Sequence, residues 1–186
     1  ELSVTNARTH SLESIGPVRN IQVLAHLDGQ TVRLDNASGE IGGQRVNVDG
    51  SMQIDERMLR TNGLPLFQVH VSGTNVPLAR NPSVLLRANV DLTATNSGTE
   101  IPVVYGSVKL RNSLFLADLQ TLVPERTASA RKRPPYFSVE ADPWAQWRLR
   151  VNVTGDSFLR VQTPLFHGKV STVLSLQGTL KDPLVL

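Results

Sequence analysis

The stretch Val84-Leu85-Leu86-Arg87-Ala88-Asn89-Val90-Asp91-Leu92 decides the fold. Val84, Leu86, Ala88, Val90 and Leu92 are apolar, and Arg87, Asn89 and Asp91 fall between them. A strand turns successive side chains to opposite faces, so this segment has one greasy face and one polar face. Trp147 to Val153 repeats the scheme, with Trp147, Leu149, Val151 and Val153 set against Arg148, Arg150 and Asn152.

Most of the chain reads the same way. On the N-terminal side, Ile21, Val23, Ala25 and Leu27 alternate with polar residues up to an Asp28-Gly29 turn signal. Val32 and Leu34 begin the return strand, and Asn36 to Gly43, with three glycines, reads as a turn or bulge. Val46, Val48, Met52 and Ile54 share a face through Gly50, although Asp49-Gly50 is equally readable as a hairpin. Asn62-Gly63 marks a firmer turn. Phe67, Val69 and Val71 follow, and Val76-Pro77-Leu78 reads as an edge or kink.

Beyond Val84 to Ala94 lies a Ser97-Gly98 turn, then Val104, Val108 and Leu110 on one face with Gly106. Leu116, Leu119, Leu122 and Val123 have the spacing of a short helix. Residues 124–135 lack periodicity and are expected to form a flexible loop. Asp142-Pro143 introduces one helical turn carrying Trp144 and Trp147, read as a plug at one end of the sheet or as an interfacial anchor. The final strands are Trp147 to Val153, Phe158 to Val161 and Val170 to Leu180, the last carrying Leu174 and Leu176. Glu1 to Pro17 is a loop or a weak edge strand.

This pattern predicts an all-β fold of ten to twelve strands with almost no helix to cover them. Such chains bury apolar faces by pairing two sheets or curling one. Aromatics are only 5 % of the 186 residues, so the greasy faces are built from medium aliphatics. We therefore expect one elongated, curved, antiparallel-rich or mixed sheet folded along its length around an apolar groove, taco-like in section. Its expected lining is the eighteen apolar-face residues already placed: Val46, Val48 and Ile54; Phe67, Val69 and Val71; Val84, Leu86, Val90 and Leu92; Val104, Val108 and Leu110; Leu149, Val151 and Val153; Leu174 and Leu176. The alternative is a closed core of the same side chains. The chain as a whole, 1–186, is read as a single β-rich domain. Because Gly178 to Leu186 reads as the opening of another strand and no Met precedes Glu1, it is expected to be a piece of a longer protein.

Chemistry is harder to find. There is no cysteine, hence no disulfide or thiolate metal site. His10, His26, His70 and His167 lack the spacing of a metal pair, and His26 and His70 lie on polar faces. Asp28, Asp49 and Asp55 have turn or polar-face explanations. No Gly-x-Ser-x-Gly elbow occurs, and Gly39, Gly42 and Gly43 lack the Lys-Ser/Thr of a phosphate loop. No catalytic residue, metal ligand or cofactor is expected. The 19 basic and 16 acidic residues are interspersed, only Arg131-Lys132-Arg133 forming a run, so no nucleic-acid stripe is present. No apolar run approaches the roughly 20 residues of a spanning helix.

Three passages resemble the TamB family of bacterial envelope proteins, within the AsmA-like group. They are Phe67-Gln68-Val69-His70-Val71-Ser72-Gly73 leading to Val76-Pro77-Leu78-Ala79-Arg80; Val104-Tyr105-Gly106-Ser107-Val108-Lys109-Leu110; and Leu149 to Thr163 with Leu174-Ser175-Leu176-Gln177-Gly178-Thr179 before Pro183 and Leu184. The likeness covers about residues 64–186, and its motifs are of low specificity. It implies a half-open β tube in the periplasm, in a longer protein anchored in the inner membrane. Phospholipid acyl chains would pass along its apolar interior toward the outer membrane, with a BamA-like barrel as partner. The alternative is a chaperone-like module that binds barrel strands by β-augmentation during outer-membrane assembly.

Overall fold

The computed structural model describes residues 1–10, 16–54, 64–80, 83–98, 101–116, 139, 142–163 and 166–186. Ten strands run in chain order across a single open sheet: β1 Leu2–Ala7, β2 Val18–Asp28, β3 Thr31–Ile41, β4 Gln44–Gln53, β5 Leu66–Arg80, β6 Val84–Asn96, β7 Val103–Phe115, β8 Arg148–Gln162, β9 His167–Thr179 and β10 Pro183–Val185. Every neighbouring pair is antiparallel except β7 and β8, which run parallel. A parallel pair needs a long crossover, here supplied by the residues between Phe115 and Arg148. The fold is all-β, a mixed and antiparallel-rich sheet that curves.

The register explains the alternation. Residues paired across strands share a face, and one rung crosses all ten strands as Val4, Val23, Ala37, Val48, Val71, Leu92, Gly106, Val151, Leu176 and Val185. A second reads Leu2, Ala25, Leu34, Gly50, Val69, Ala94, Val104, Leu149, Gly178 and Pro183. On the opposite face, Gln22, Ser38, Asn47, Ser72, Asp91, Ser107, Asn152 and Ser175 form a rung that is polar throughout. A one-residue slip in any strand would break both patterns at once.

Several sequence expectations are sharpened. Asp49-Gly50 is strand, not hairpin, because β4 runs through it. The three-glycine segment is mostly strand as well: β3 continues to Ile41 and only Gly42 and Gly43 turn. Phe158 to Val161 is no separate strand, since β8 continues across a bulge between Gly155 and Leu159. Val76-Pro77-Leu78 lies inside β5. Pro77 is tolerated there because β4 pairs with β5 only as far as Gly73, so the far half of β5 has a ladder on its β6 side alone. The expected turn at Asn62-Gly63, the helix residues Leu119, Leu122 and Val123, and the loop 124–135 lie outside the described residues.

Bulges bend the sheet. Asn75 in β5, Asn112 in β7 and Ser157 in β8 adopt left-handed backbone where the register of those strands shifts. Side chains of neighbouring strands hold them: the Asn75 N–H donates to Asn89 Oδ1 at 3.0 Å, Asn112 Nδ2 to Asn75 Oδ1 at 3.4 Å, and the Ser157 N–H to Ser171 Oγ at 2.7 Å. A bulge adds a residue to one strand and increases local twist and bend.

Gly106 is the weakest link of the first apolar rung to substitution. Its φ is +137°, and a Cβ there would lie 2.2 Å from the Asp91 carbonyl oxygen. Both strain and collision oppose any side chain, so Gly106→Ala is expected to cost about 2–3 kcal/mol in a denaturant titration. A loss below half a kcal/mol would mean that β6 and β7 do not approach as described.

Candidate apolar groove

All eighteen expected lining residues are among the described positions, and all but Ile54 lie in strands. Val48, Val71, Leu92, Val151 and Leu176 lie on the first rung, and Val69, Val104 and Leu149 on the second. Val46, Val90, Val108, Val153 and Leu174 form a third with Gly73. Phe67 pairs with Asn96 at one end of the sheet, Val84 with Phe115 at the other, and Leu86 with Ala79. Ile54 sits just past β4, its N–H on the Gln30 carbonyl. Leu110 packs with Ala88, Val151 and Phe158 in the best-buried part of the sheet.

Burial is uneven along a rung. Val151 is 4 % exposed, whereas Val48, Val71 and Leu92 on the same rung are half-buried. Among the described residues no large side chain is completely buried. Among the described residues the apolar surface is thus gathered on one face, buried around Val151 and half-buried at Val48, Val71 and Leu92.

One contact fixes the direction of curvature. Trp147 directly precedes β8 and is level with Phe67 of β5, two strands intervening. Three strand spacings on a flat sheet put these side chains about 14 Å apart. Their ring centroids are 5.2 Å apart and stacked. The sheet must curl toward its apolar face for them to meet.

Trp144 follows the cis Asp142-Pro143 peptide on a 3-10 turn, Trp144–Gln146, and its ring centroid lies 4.7 Å from that of Trp147. Trp147 is 6 % exposed and Trp144 48 %. Together they close one end of the groove over a cavity of about 450 Å³, whose other walls include Val32, Leu34, Met52 and Val69. Trp147 thus packs over side chains of β3 to β6, while Trp144 stays half-exposed beside it.

The polar face carries a different cluster. His70 lies between two carboxylates, Nδ1–H donating to Asp49 Oδ1 and Nε2–H to Asp91 Oδ1, both at 3.1 Å. These three residues come from β4, β5 and β6, which sequence spacing alone does not reveal. The hydrogen bond to Asp49, then that to Asp91, raises the His70 pKa above its ordinary value of 6.5. His26 similarly meets Asp35, with Glu1 at 3.8 Å. Among the described residues no group of three or more acidic and histidine side chains is placed to hold a metal ion. A polar depression of about 590 Å³ on this face is lined by Arg45, Asn47, Ser72, Asp91, Ser107 and Lys109, the outward side chains of neighbouring strands.

Comparison with protein-family models, with curated proteins and with solved structures gives no match.

His70 yields a pH prediction with a definite sign. Its folded-state pKa is raised, so its contribution to stability is complete below about pH 6.5 and is lost as pH rises through the raised value. The pair is partly exposed, so the effect is small and weakened by salt. Denaturation midpoints of the wild type are expected to fall between pH 6 and 8 relative to those of His70→Gln. Parallel profiles would show that the two aspartates do not hold the ring.

Proposed function

We propose that this chain is a segment of a TamB-like envelope protein whose apolar groove shelters phospholipid acyl chains on their way between the inner and outer membranes. The observation that carries the reading is the pair of apolar rungs that cross all ten strands on the concave face. A hydrocarbon chain lying across the strands meets Val, Leu, Ala and Gly without a charge. Burial is worth about 0.8 kcal/mol per methylene, so half-sheltering ten methylenes gives roughly 4 kcal/mol. A charged head group would cost more than that if it were buried. An open side lets the head group stay in water while the tail slides. The reading requires no catalysis and no cofactor. It places the segment in the periplasm, in a protein held at the inner membrane and working with a BamA-like outer-membrane barrel.

A second reading has its own support. β1 and β10 are the outermost strands, so each has one edge without a described partner. Leu2, Leu184 and Val185 are exposed there. Such an edge accepts a strand by β-augmentation, as a chaperone for outer-membrane barrels would require.

The two readings separate experimentally. Native mass spectrometry with lipid extraction is expected to find phospholipid on the purified protein, and a photo-crosslinker at Val90 to form lipid adducts. Leu176→Asp should abolish both, and Val90→Asp the bound phospholipid, while circular dichroism still reports a sheet. Val4→Pro, on the β1 edge, should leave lipid capture unchanged. A lipid-free protein with no adduct from added phospholipid contradicts the groove. Loss of barrel-strand capture in Val4→Pro would then establish the second reading.

A further inference from the structure

We infer that the Trp-capped end of the groove takes an acyl chain bearing an acceptor oxygen, an ester carbonyl or a carboxylate, with the Trp147 indole N–H as its donor. This rests on the acyl-groove reading and specifies the ligand at one place in it. Buried indole N–H groups ordinarily find an acceptor. Among the described residues Trp147 Nε1 is buried and has none. Its ring stands in the wall of the 450 Å³ cavity, between Phe67 and Trp144, which offer only aromatic surfaces.

Among the described residues, polar groups level with Trp147 are already engaged. Asn96, level with Trp147, donates from Nδ2 to the Pro65 carbonyl at 2.6 Å and accepts the Gly98 N–H on Oδ1 at 3.1 Å. The carbonyls of Trp144, Ala145 and Trp147 accept the N–H groups of Trp147, Lys181 and Leu180. The last of these bonds and the first pin the Trp147 backbone on both sides, which leaves its side-chain torsions as the freedom available. The cavity's exposed walls are apolar, so the donor role requires the indole to turn about these torsions when the cavity fills. The walls exclude a polar ligand, and the volume lies within the ~300–1,000 Å³ of ordinary ligand sites. The unmatched donor adds one requirement: an oxygen at the head of the hydrocarbon.

The test uses the ¹⁵N-labelled chain, in which Trp144→Phe leaves Trp147 as the one indole resonance. Palmitate, dihexanoylphosphatidylcholine and hexadecane are titrated separately. A downfield shift of the Trp147 Nε1–H with an oxygenated probe, and none with hexadecane, supports the inference; the probe that produces it distinguishes free carboxylate from phospholipid ester. In the chain with Trp144 intact, Trp147→Phe should weaken that probe about tenfold and leave hexadecane unaffected. Probes that bind alike with the resonance unmoved overturn the donor role and leave the groove standing. Failure of all three to bind overturns the inference and the acyl-groove reading together.

Discussion

Everything in this molecule depends on keeping side-chain alternation in register across ten strands. A strand has two faces whatever its sequence, but a sheet has an apolar face only if each strand meets its neighbour at the right residue. Here Val4 and Val185, on opposite outer strands, belong to one apolar rung. The polar rung through Asn47, Ser72, Asp91 and Ser107 holds the same register from the other side. Slipping a strand would put Asp91 and Arg150 among valines and leucines, which is far costlier than losing a contact. The parallel β7–β8 pair obeys the same register, with Gly106 opposite Val151 and Ser107 opposite Asn152.

Curvature is the second requirement, and it has local causes. The bulges at Asn112 and Ser157 fall in β7 and β8, which supply five of the six buried residues of the core cluster, and that at Asn75 lies in β5 next to buried Val76. Gly155 beside the last of them leaves room for the Phe158 ring, which a Cβ would meet at 2.6 Å. At the other end Phe67 and Trp147 close the arc across two intervening strands. A sheet bent this way gathers its aliphatics into a trough. With few aromatics to fill the middle, it does not need to become a sandwich. Half-buried Val48, Val71 and Leu92 are the consequence, and they are the surface on which the functional proposal stands.

The alternation made the strands and their faces legible from Val84 to Leu92 outward, because period two is a local property. Bulges were less legible. The strand through Gly73-Thr74-Asn75 carries a signal, an Asn, which tolerates left-handed backbone, two places after a glycine, whereas Ser157 carries none. Phe158 looked like a new strand, since a bulge resets the alternation. The His70 cluster was hidden for a different reason: its partners are 21 residues away on either side in the chain. Only the register brings Asp49 and Asp91 to it. The unmatched Trp147 N–H was equally invisible, being a property of what surrounds the ring and not of the residue.

The central claim is that the apolar face is open to hydrocarbon, and nitroxide accessibility tests it most directly. The chain has no cysteine, so single cysteines at Val71, Leu92 and Leu176, and at Ser72, Asp91 and Ser175 on the polar face, can be spin-labelled cleanly. With phospholipid present, labels on the first set should be relaxed by oxygen and protected from a water-soluble nickel chelate, and those on the second should show the reverse. Apolar-face labels shielded from both reagents, with or without lipid, would mean a closed core and would contradict the account.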